Sequence, residues 1–301
     1  MVKKKIEIIE IGPRDGFQNV LKFITTELKL KIIDGIVRSG IKSVQITSFV
    51  SPKAVPQMKD AREIVSSCLE KYSGINFSAL VPNLYGAKAA VKCGLKEISY
   101  VISVSETHNL KNVKRSHEES FSELSELLKL YPCIKVNLDV ATTFGCHYEG
   151  EISFEKVMSF LKRAYDIGIR SFNLCDTVGL AYPALIKDVV ENALKEYPNC
   201  EFQVHIHDTR NMGIINSYTA IECGINKIQT SIGGLGGCPF APGASGNTST
   251  EDLVYMLNKM GYDTGIDFKV LLETAKLLKE NVNGNYSGHQ IYINKNKVRN
   301  Q

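Results

Sequence analysis

Short apolar runs alternate with longer amphipathic segments along almost the whole chain. The apolar runs are rich in Val and Ile, as buried parallel strands are, and the segments between them place apolar residues at helical spacing. Eight strands are predicted, at Lys5–Ile11, Ser43–Thr47, Asn76–Val81, Glu97–Ile102, Ile134–Thr142, Arg170–Leu174, Glu201–His207 and Lys227–Ser231. Helices are predicted between and after them, for example at Thr26–Ser39, Gln57–Tyr72, Glu118–Leu130, Phe154–Asp166, Pro183–Tyr197, Thr250–Met260 and Phe268–Asn281.

Eight β/α units in succession, without a linker rich in Gly, Pro or Ser, favour a closed (β/α)8 TIM barrel with additional C-terminal helices. An open dinucleotide-binding sheet would call for a GxGxxG motif after an early strand, whereas GPRDG follows the first strand here. The 301 residues suffice for one barrel of roughly 250 residues. We therefore expect a single catalytic domain over residues 1–301, in which the Asn- and Lys-rich stretch 283–301 is a tail or a lid.

Composition excludes several classes of protein. The net charge of +4 is small and spread out, whereas a nucleic-acid binder would concentrate its positive charge. The densest basic runs, Lys3–Lys5 and Lys111–Arg115, are expected on the surface, and the second could instead meet an anionic part of a substrate. No apolar run approaches the roughly 18 residues of a membrane span, and no signal segment is recognisable. Eight scattered cysteines without a CxxC pair are typical of reduced thiols, so a cytoplasmic protein is expected.

Ligand-type side chains collect where the predicted strands end. In TIM barrels this C-terminal face carries the active site. The residues at these strand ends are Arg14, Asp15, Asn83, Ser105, Glu106, Asp176, His205 and His207. Packing alone does not explain such one-sided placement, so the pattern indicates an enzyme.

The His205–Ile206–His207 pattern is the sharpest local signal. Side chains alternate along a strand, so both imidazoles point to the same face. The pattern alone is equally typical of two hydrogen-bonded core histidines. With Asp15 at the corresponding end of the first strand, a site for a divalent metal is favoured.

A glycine-rich run, Gly233–Pro239, follows the eighth strand and carries Cys238. Each glycine costs entropy to order, so the run predicts a mobile loop that brings a thiol over the barrel mouth. The alternative is a plain long turn with an incidental cysteine. Asn247 lies just beyond it and offers a neutral carbonyl oxygen, which suits Mg²⁺ or Mn²⁺.

Longer motifs extend this picture over nearly the whole chain. They are GPRDGFQN at 12–19, TSFVSPK at 47–53, VPQM at 55–58, DTVG at 176–179, HIHDT at 205–209, the run 233–247 and EDLVYML at 251–257. By these motifs the chain resembles the 3-hydroxy-3-methylglutaryl-CoA lyase family. That family belongs to the metal-dependent DRE-TIM metallolyase superfamily, which also includes isopropylmalate and homocitrate synthases.

The resemblance implies a divalent-metal-dependent carbon–carbon lyase that cleaves a 3-hydroxy-3-methylglutaryl-CoA-like substrate to acetyl-CoA and a 3-oxoacid, acetoacetate. It also implies Mg²⁺ or Mn²⁺ as cofactor, an acyl-CoA partner and a homodimer. Arg14 would stabilise the enolate oxygen, Asp176 and the metal site would handle the hydroxyl proton, and Cys238 would protonate the acetyl-CoA carbanion. The implied metal ligands are Asp15, His205, His207 and Asn247, and the candidate contacts for the substrate or its CoA are Gln18, Asn83 and Ser105.

Two residues depart from the family pattern. Gln45 stands on the second strand where relatives have Glu, and Asp139 on the fifth where they commonly have Tyr. Either this exchange is drift with lower activity, or Asp139 is a relocated acid/base group for another substrate. The alternatives are thus a related barrel lyase or aldolase acting on a different hydroxyacyl-CoA or 2-oxo-acid, and a non-catalytic homologue that binds metal or CoA.

Overall fold

The computed structural model describes residues 4–237 and 246–293. Eight parallel strands form a closed barrel in which each strand pairs with the next in sequence and the eighth pairs with the first. The strands are β1 (Glu7–Glu10), β2 (Ser43–Ser48), β3 (Asn76–Val81), β4 (Glu97–Ser103), β5 (Lys135–Ala141), β6 (Ser171–Asp176), β7 (Glu201–Ile206) and β8 (Lys227–Thr230). The predicted (β/α)8 TIM barrel is confirmed, and all eight predicted strands are present.

The helices surround the barrel. They are α1 (Thr26–Arg38), α2 (Ala61–Lys71), α3 (Leu84–Lys92), α4 (Glu106–Val113), α5 (His117–Leu130), α6 (Phe154–Asp166), α7 (Pro183–Glu196), α8 (Gly213–Glu222), α9 (Thr250–Lys259) and α10 (Phe268–Asn281). The seven helices predicted from the sequence are among them. The second starts at Ala61 rather than at Gln57, because Pro56–Met58 form a separate 3-10 turn. No helix of the described residues is long and apolar enough to cross a membrane.

The main apolar core lies between the barrel and the helices. On α6, residues Val157, Phe160, Leu161 and Ala164 are buried at the spacing of one helical face. Ser153 caps this helix by accepting a hydrogen bond from the Lys156 amide. The helix therefore begins at a polar cap and packs one apolar stripe against the sheet.

The interior of the barrel is polar instead. Its N-terminal end is closed by ion pairs among residues from five strands: Lys227 lies 2.7 Å from Glu201, Lys135 lies 2.8 Å from Glu201 and 3.4 Å from Glu97, and Lys227 lies 3.5 Å from Glu7. Above this ring, amide and hydroxyl side chains fill the centre. Polar side chains can therefore face inward along the strands up to the C-terminal end.

The chain returns to this C-terminal end after α10. Residues 283–293 run back over the loop that follows β8, and Gln290–Tyr292 form a short 3-10 turn. This is the described part of the stretch that the sequence suggests as a tail or a lid. The assignment of residues 1–301 to a single domain stays a prediction.

Candidate active site

The loop after β1 places two charged residues inside the barrel mouth. Gly12–Gly16 form a single wide helical turn, in which the Asp15 amide donates to the Ile11 carbonyl at 2.7 Å. Pro13 occupies the first turn, where a missing N–H costs nothing. Arg14 and Asp15 are both buried as a result.

Asp15, His205 and His207 meet at the C-terminal end of the barrel. One ligand atom of each lies within 4.8 Å of the others. Asn247 joins them, since its Oδ1 lies 2.9 Å from His205 Nε2 and its Nδ2 donates to Asp15 Oδ2 at 2.8 Å. The structure therefore brings together all four residues that the sequence singles out as metal ligands. The histidines do not point into the helix layer.

Local charges keep these groups ready to bind a cation. Burial and the neighbouring His205 lower the pKa of His207 to about 4, so its imidazole is neutral at pH 7. Burial alone would raise the pKa of Asp15, but Arg14 and the two histidines hold that pKa well below its usual range. An ionised carboxylate and a neutral imidazole are the forms that ligate metals.

A line of amide side chains inside the barrel supports His205. Gln229 Oε1 lies 3.0 Å from His205 Nδ1, and Gln229 Nε2 donates to Gln203 Oε1 at 3.0 Å. Gln203 in turn donates to Asn137 Oδ1 at 2.7 Å, and Asn137 donates to Asp139 Oδ1 at 3.1 Å. This line connects the candidate metal ligand on β7 to the carboxylate on β5.

The Arg14 guanidinium is fixed by two neighbours. Its Nε donates to Gln45 Oε1, and its Nη1 donates to Asp15 Oδ1. Gln45 Nε2 donates to Ser99 Oγ at 2.8 Å, which determines the orientation of the amide. Gln45 therefore orients Arg14, and its side chain is almost fully buried.

Asp139 lies inside the barrel mouth, and one oxygen of its carboxylate accepts hydrogen bonds. Its Oδ1 accepts hydrogen bonds from Asn137 and Asn173, the latter at 2.9 Å. Burial raises the pKa of Asp139, and the positive charge of Arg14 offsets part of that rise. A bidentate Arg14–Asp139 pair is not formed, because the guanidinium donates to Gln45 and Asp15 instead.

A cavity of about 440 Å³ opens above these residues, a size suited to a small-molecule ligand. Arg14, Asp15, Asp139, His205 and His207 lie in its wall. Gln18 and Asn83, two of the candidate substrate contacts, line it as well. Further wall residues include the apolar Val50, Leu80, Val101 and Ala141 and the polar His108, Asn112 and Arg115.

Two candidates occupy other positions. Asp176 is not among the described residues that line the cavity, and its two oxygens accept hydrogen bonds from the amides of Leu180 and Ala181. Burial raises its pKa to about 7. Ser105 is fully buried, caps α4 and accepts a hydrogen bond from Cys146 at 3.1 Å. Both side chains hold loops in place in this structure. Substrate contact by Ser105 and proton transfer by Asp176 stay predictions.

Cys238 lies outside the described residues, together with the rest of segment 238–245. The flanks of this segment are described. Gly237 lines the cavity, and Asn247 lies in the cluster with Asp15 and His205. The chain on either side of Cys238 is therefore next to the candidate site.

Sequence reasoning missed two buried acids beneath the site. Glu10 accepts hydrogen bonds from the Gly12 amide at 2.7 Å and the Ile232 amide at 2.8 Å, so it ties the loops after β1 and β8 together. Glu251 accepts from the Gly233 amide at 3.0 Å. Burial raises their pKa values to about 7 and about 8, respectively. A carboxylate at the C-terminal end of β1, directly after two isoleucines, was the available sequence signal for Glu10.

The chain matches the family model described as HMGL-like over residues 5–278. It is 40% identical to the mitochondrial hydroxymethylglutaryl-CoA lyase of Homo sapiens over 282 residues, which cover 93% of this chain and 86% of the relative. It is also 40% identical to the hydroxymethylglutaryl-CoA lyase of Bacillus subtilis, over 92% of this chain and 93% of the relative. An HMG-CoA lyase structure from Acinetobacter baumannii, in complex with coenzyme A and 3-methylmalate, superposes with a TM-score of 0.91 at 35% identity, covering 97% of this chain and 96% of that one.

Proposed function

The chain belongs to the HMGL-like family and is a carbon–carbon lyase, and on that premise we propose that it cleaves 3-hydroxy-3-methylglutaryl-CoA to acetyl-CoA and acetoacetate. One observation carries the proposal: Asp15, His205 and His207 converge beside Arg14 in the wall of the cavity, and Asn247 contacts Asp15 and His205. A packed barrel has no structural need for this set of groups at its mouth.

The residues present fit a divalent ion. Two imidazoles, one carboxylate and one amide oxygen suit Mg²⁺ or Mn²⁺, and the compact Asp15–His205–His207 cluster is the size of one coordination sphere. When bound, such an ion supplies Lewis-acid stabilisation to hydroxyl and carboxylate oxygens of the substrate. Its identity as Mg²⁺ or Mn²⁺ is part of the proposal.

The cleavage needs one group to take a proton and another to stabilise charge. The tertiary hydroxyl loses its proton, the adjacent carbon–carbon bond breaks, and its electron pair passes to the thioester half as an enolate. Arg14 presents its guanidinium in the cavity wall, fixed by Gln45, and stabilises the enolate oxygen. Because Arg14 is already oriented, little reorganisation is required during the reaction.

Asp139 is the proposed acceptor of the hydroxyl proton. It is a carboxylate in the cavity wall whose Oδ1 is held by two amides. Burial raises its pKa, which favours acid/base work, although Arg14 and the hydrogen bond from Asn173 offset part of that rise. Asp176 has both oxygens committed to backbone amides and is the weaker candidate.

Cys238 is proposed to return a proton to the acetyl-CoA enolate, which completes the product. The position of Gly237 in the cavity wall supports this role, since the thiol is on the next residue. Gln18 and Asn83 are proposed to contact the substrate or its CoA portion. Arg115, also in the wall, is a suitable cation for an anionic portion.

Location and assembly are also part of the proposal. The seven described cysteines are all free, which supports a reducing compartment and hence the cytoplasm. A homodimer is the expected assembly. Cell fractionation and light scattering on the purified protein test these two statements.

A substrate panel tests the proposed reaction. Purified protein is incubated with Mg²⁺ or Mn²⁺ and a set of 3-hydroxyacyl-CoA esters and 2-oxo acids, and acetyl-CoA and 3-oxoacid are quantified. We expect the highest kcat/KM for 3-hydroxy-3-methylglutaryl-CoA. Preference for another ester would instead support the view that Gln45 and Asp139 change the substrate, and no turnover on any of them would contradict the assignment as an enzyme.

A further inference from the structure

The chain after α10 lies directly against the glycine-rich run that follows β8. Residues 284–290, here termed the C-terminal strap, form backbone bonds to that run. The Gly288 amide donates to the Gly233 carbonyl at 3.0 Å, and the Gly236 amide donates to the Asn285 carbonyl at 3.3 Å. Leu235 and Tyr286 pair as an isolated antiparallel bridge. The strap therefore holds the residues that lead from β8 toward segment 238–245.

One side chain of the strap reaches the other flank of that segment. Ser287 Oγ donates to the backbone carbonyl of Asn247 at 2.8 Å. It also lies 3.4 Å from the Gly234 carbonyl. A single hydroxyl therefore links the two flanks and contacts the backbone of Asn247.

The position of Asn247 matters because its side chain contacts two of the other candidate metal ligands. Nδ2 donates to Asp15 at 2.8 Å and to the Leu235 carbonyl at 3.3 Å, while Oδ1 faces His205. An amide oxygen can ligate a cation only when the backbone of its residue is held where the oxygen reaches the cation. Ser287 provides one of the contacts that fix this backbone.

The close approach of the strap also accounts for two of the glycines. A Cβ added at Gly234 would lie 2.0 Å from Ser287 Oγ, and one at Gly233 would lie 2.7 Å from Tyr286 Cδ1. Both glycines have positive φ, 63° and 70°, which disfavours side chains further. These glycines are therefore needed for packing against the strap, in addition to any role in loop motion.

The far end of the strap is fixed to α9. Asp252 accepts hydrogen bonds from the backbone amides of His289 at 2.7 Å and Gln290 at 2.9 Å. At the near end, the Tyr286 hydroxyl donates to the Val282 carbonyl at 2.8 Å. With both ends attached, the strap presents Ser287 in one orientation.

We propose that the C-terminal strap preorganises the candidate metal site, with Ser287 as the positioning residue that sets the backbone of Asn247. This inference rests on the proposed function, because it assigns the strap a role at the proposed metal site. It makes the chain beyond α10 a required part of that site, although none of the strap residues lines the cavity among the described residues.

The test compares Ser287→Ala with His289→Ala in the full-length protein. The second variant is the matched control, because it removes an exposed ring of the strap with its 3.2 Å contact to Asp252 and leaves the backbone bonds to Asp252 in place. In metal-free protein, Ser287→Ala should speed hydrogen exchange in peptides spanning residues 246–250 on the order of tenfold, the factor for one lost hydrogen bond. Its Mn²⁺ affinity should fall about tenfold, as when a group supporting a metal ligand is removed.

Turnover separates positioning from simple destabilisation. For Ser287→Ala, kcat should recover toward the wild-type value at saturating Mn²⁺, and the unfolding temperature of the metal-free protein should stay unchanged. If Ser287→Ala and wild type have equal hydrogen-exchange rates at residues 246–250 and equal Mn²⁺ affinities, the proposed role of the strap is overturned. The lyase assignment is unaffected by that result. Wild-type protein that binds no Mn²⁺ would instead overturn the proposed metal site, and the inference with it.

Discussion

Gln229 Oε1 lies 3.0 Å from Nδ1 of His205, and the Gln229 amide nitrogen is already engaged with Gln203. Because an amide oxygen only accepts, His205 must donate from Nδ1, which leaves Nε2 for the cluster. Gln229→Met removes this support while keeping the volume. We expect Mn²⁺ affinity to fall about 10- to 100-fold by calorimetry. Ser78→Ala, elsewhere in the barrel interior, is the control; unchanged affinity in Gln229→Met would show that His205 needs no such partner.

Gln45→Glu tests whether the exchange on β2 limits activity. Arg14 Nε donates to the neutral Gln45 oxygen, and a carboxylate there would make this contact an ion pair between two charged groups. We expect kcat/KM for 3-hydroxy-3-methylglutaryl-CoA to rise on the order of tenfold, which is the rate factor that corresponds to the free energy of one hydrogen bond. Gln45→Met, which removes the acceptor, should lower it. If the Glu variant has wild-type kinetics, the exchange is neutral drift.

Asp139→Asn tests the proposed proton acceptor. Its Oδ1 contacts with Asn137 and Asn173 are compatible with an amide oxygen, so the fold should be preserved. We expect kcat to fall about 10²- to 10⁴-fold, the usual contribution of a general acid or base, with Mn²⁺ affinity nearly unchanged. Steady-state kinetics and calorimetry measure the two quantities. Wild-type turnover in Asp139→Asn would assign the proton transfer to another group, with Asp176 next in line.

Glu201 in the ring at the base of the barrel gives a pH-dependent prediction. Burial alone would raise its pKa, but Lys135 and Lys227 bring the pKa down to about 2. Because the folded pKa is below the unfolded value of about 4.3, Glu201 stabilises the fold above that pH, and its contribution is lost as the pH falls toward 2.

Glu201→Gln should therefore lower the free energy of unfolding at pH 7 by about 1 kcal/mol, a figure that allows for solvent screening of a partly exposed group. Urea unfolding of both proteins between pH 7 and pH 2 measures the difference. The difference in the free energy of unfolding between the two proteins should shrink below about pH 4.5. A difference that is constant over this range would mean that the ion pairs do not contribute.

The alternation of apolar and polar residues was sufficient to predict the barrel. Strand ends mark the active face in this fold, so Asp15, His205 and His207 could be selected from their positions in the sequence. The same rule also selected Ser105 and Asp176, because caps and loop anchors use the same residue types at the same positions. Sequence alone does not separate a side chain that faces the cavity from one that faces a backbone amide.

The supporting contacts could not be predicted, because they join distant parts of the chain. Glu10 bonds to the Ile232 amide and the Thr250 hydroxyl across more than 220 residues. Ser287 reaches Asn247 from a stretch whose composition indicates only a tail or a lid. Such pairs depend on how the loops after β1 and β8 and the C-terminal strap meet at one end of the barrel. No local sequence pattern predicts that these three segments pack together.

The most direct test titrates Mn²⁺ into metal-free enzyme while acetyl-CoA release from 3-hydroxy-3-methylglutaryl-CoA is followed. We expect no turnover without metal, activity that rises in parallel with the binding of one ion per chain, and loss of both binding and activity in His207→Ala. Cleavage by the metal-free enzyme, or undiminished Mn²⁺ binding in His207→Ala, would contradict a metal-dependent lyase built on Asp15, His205, His207 and Asn247.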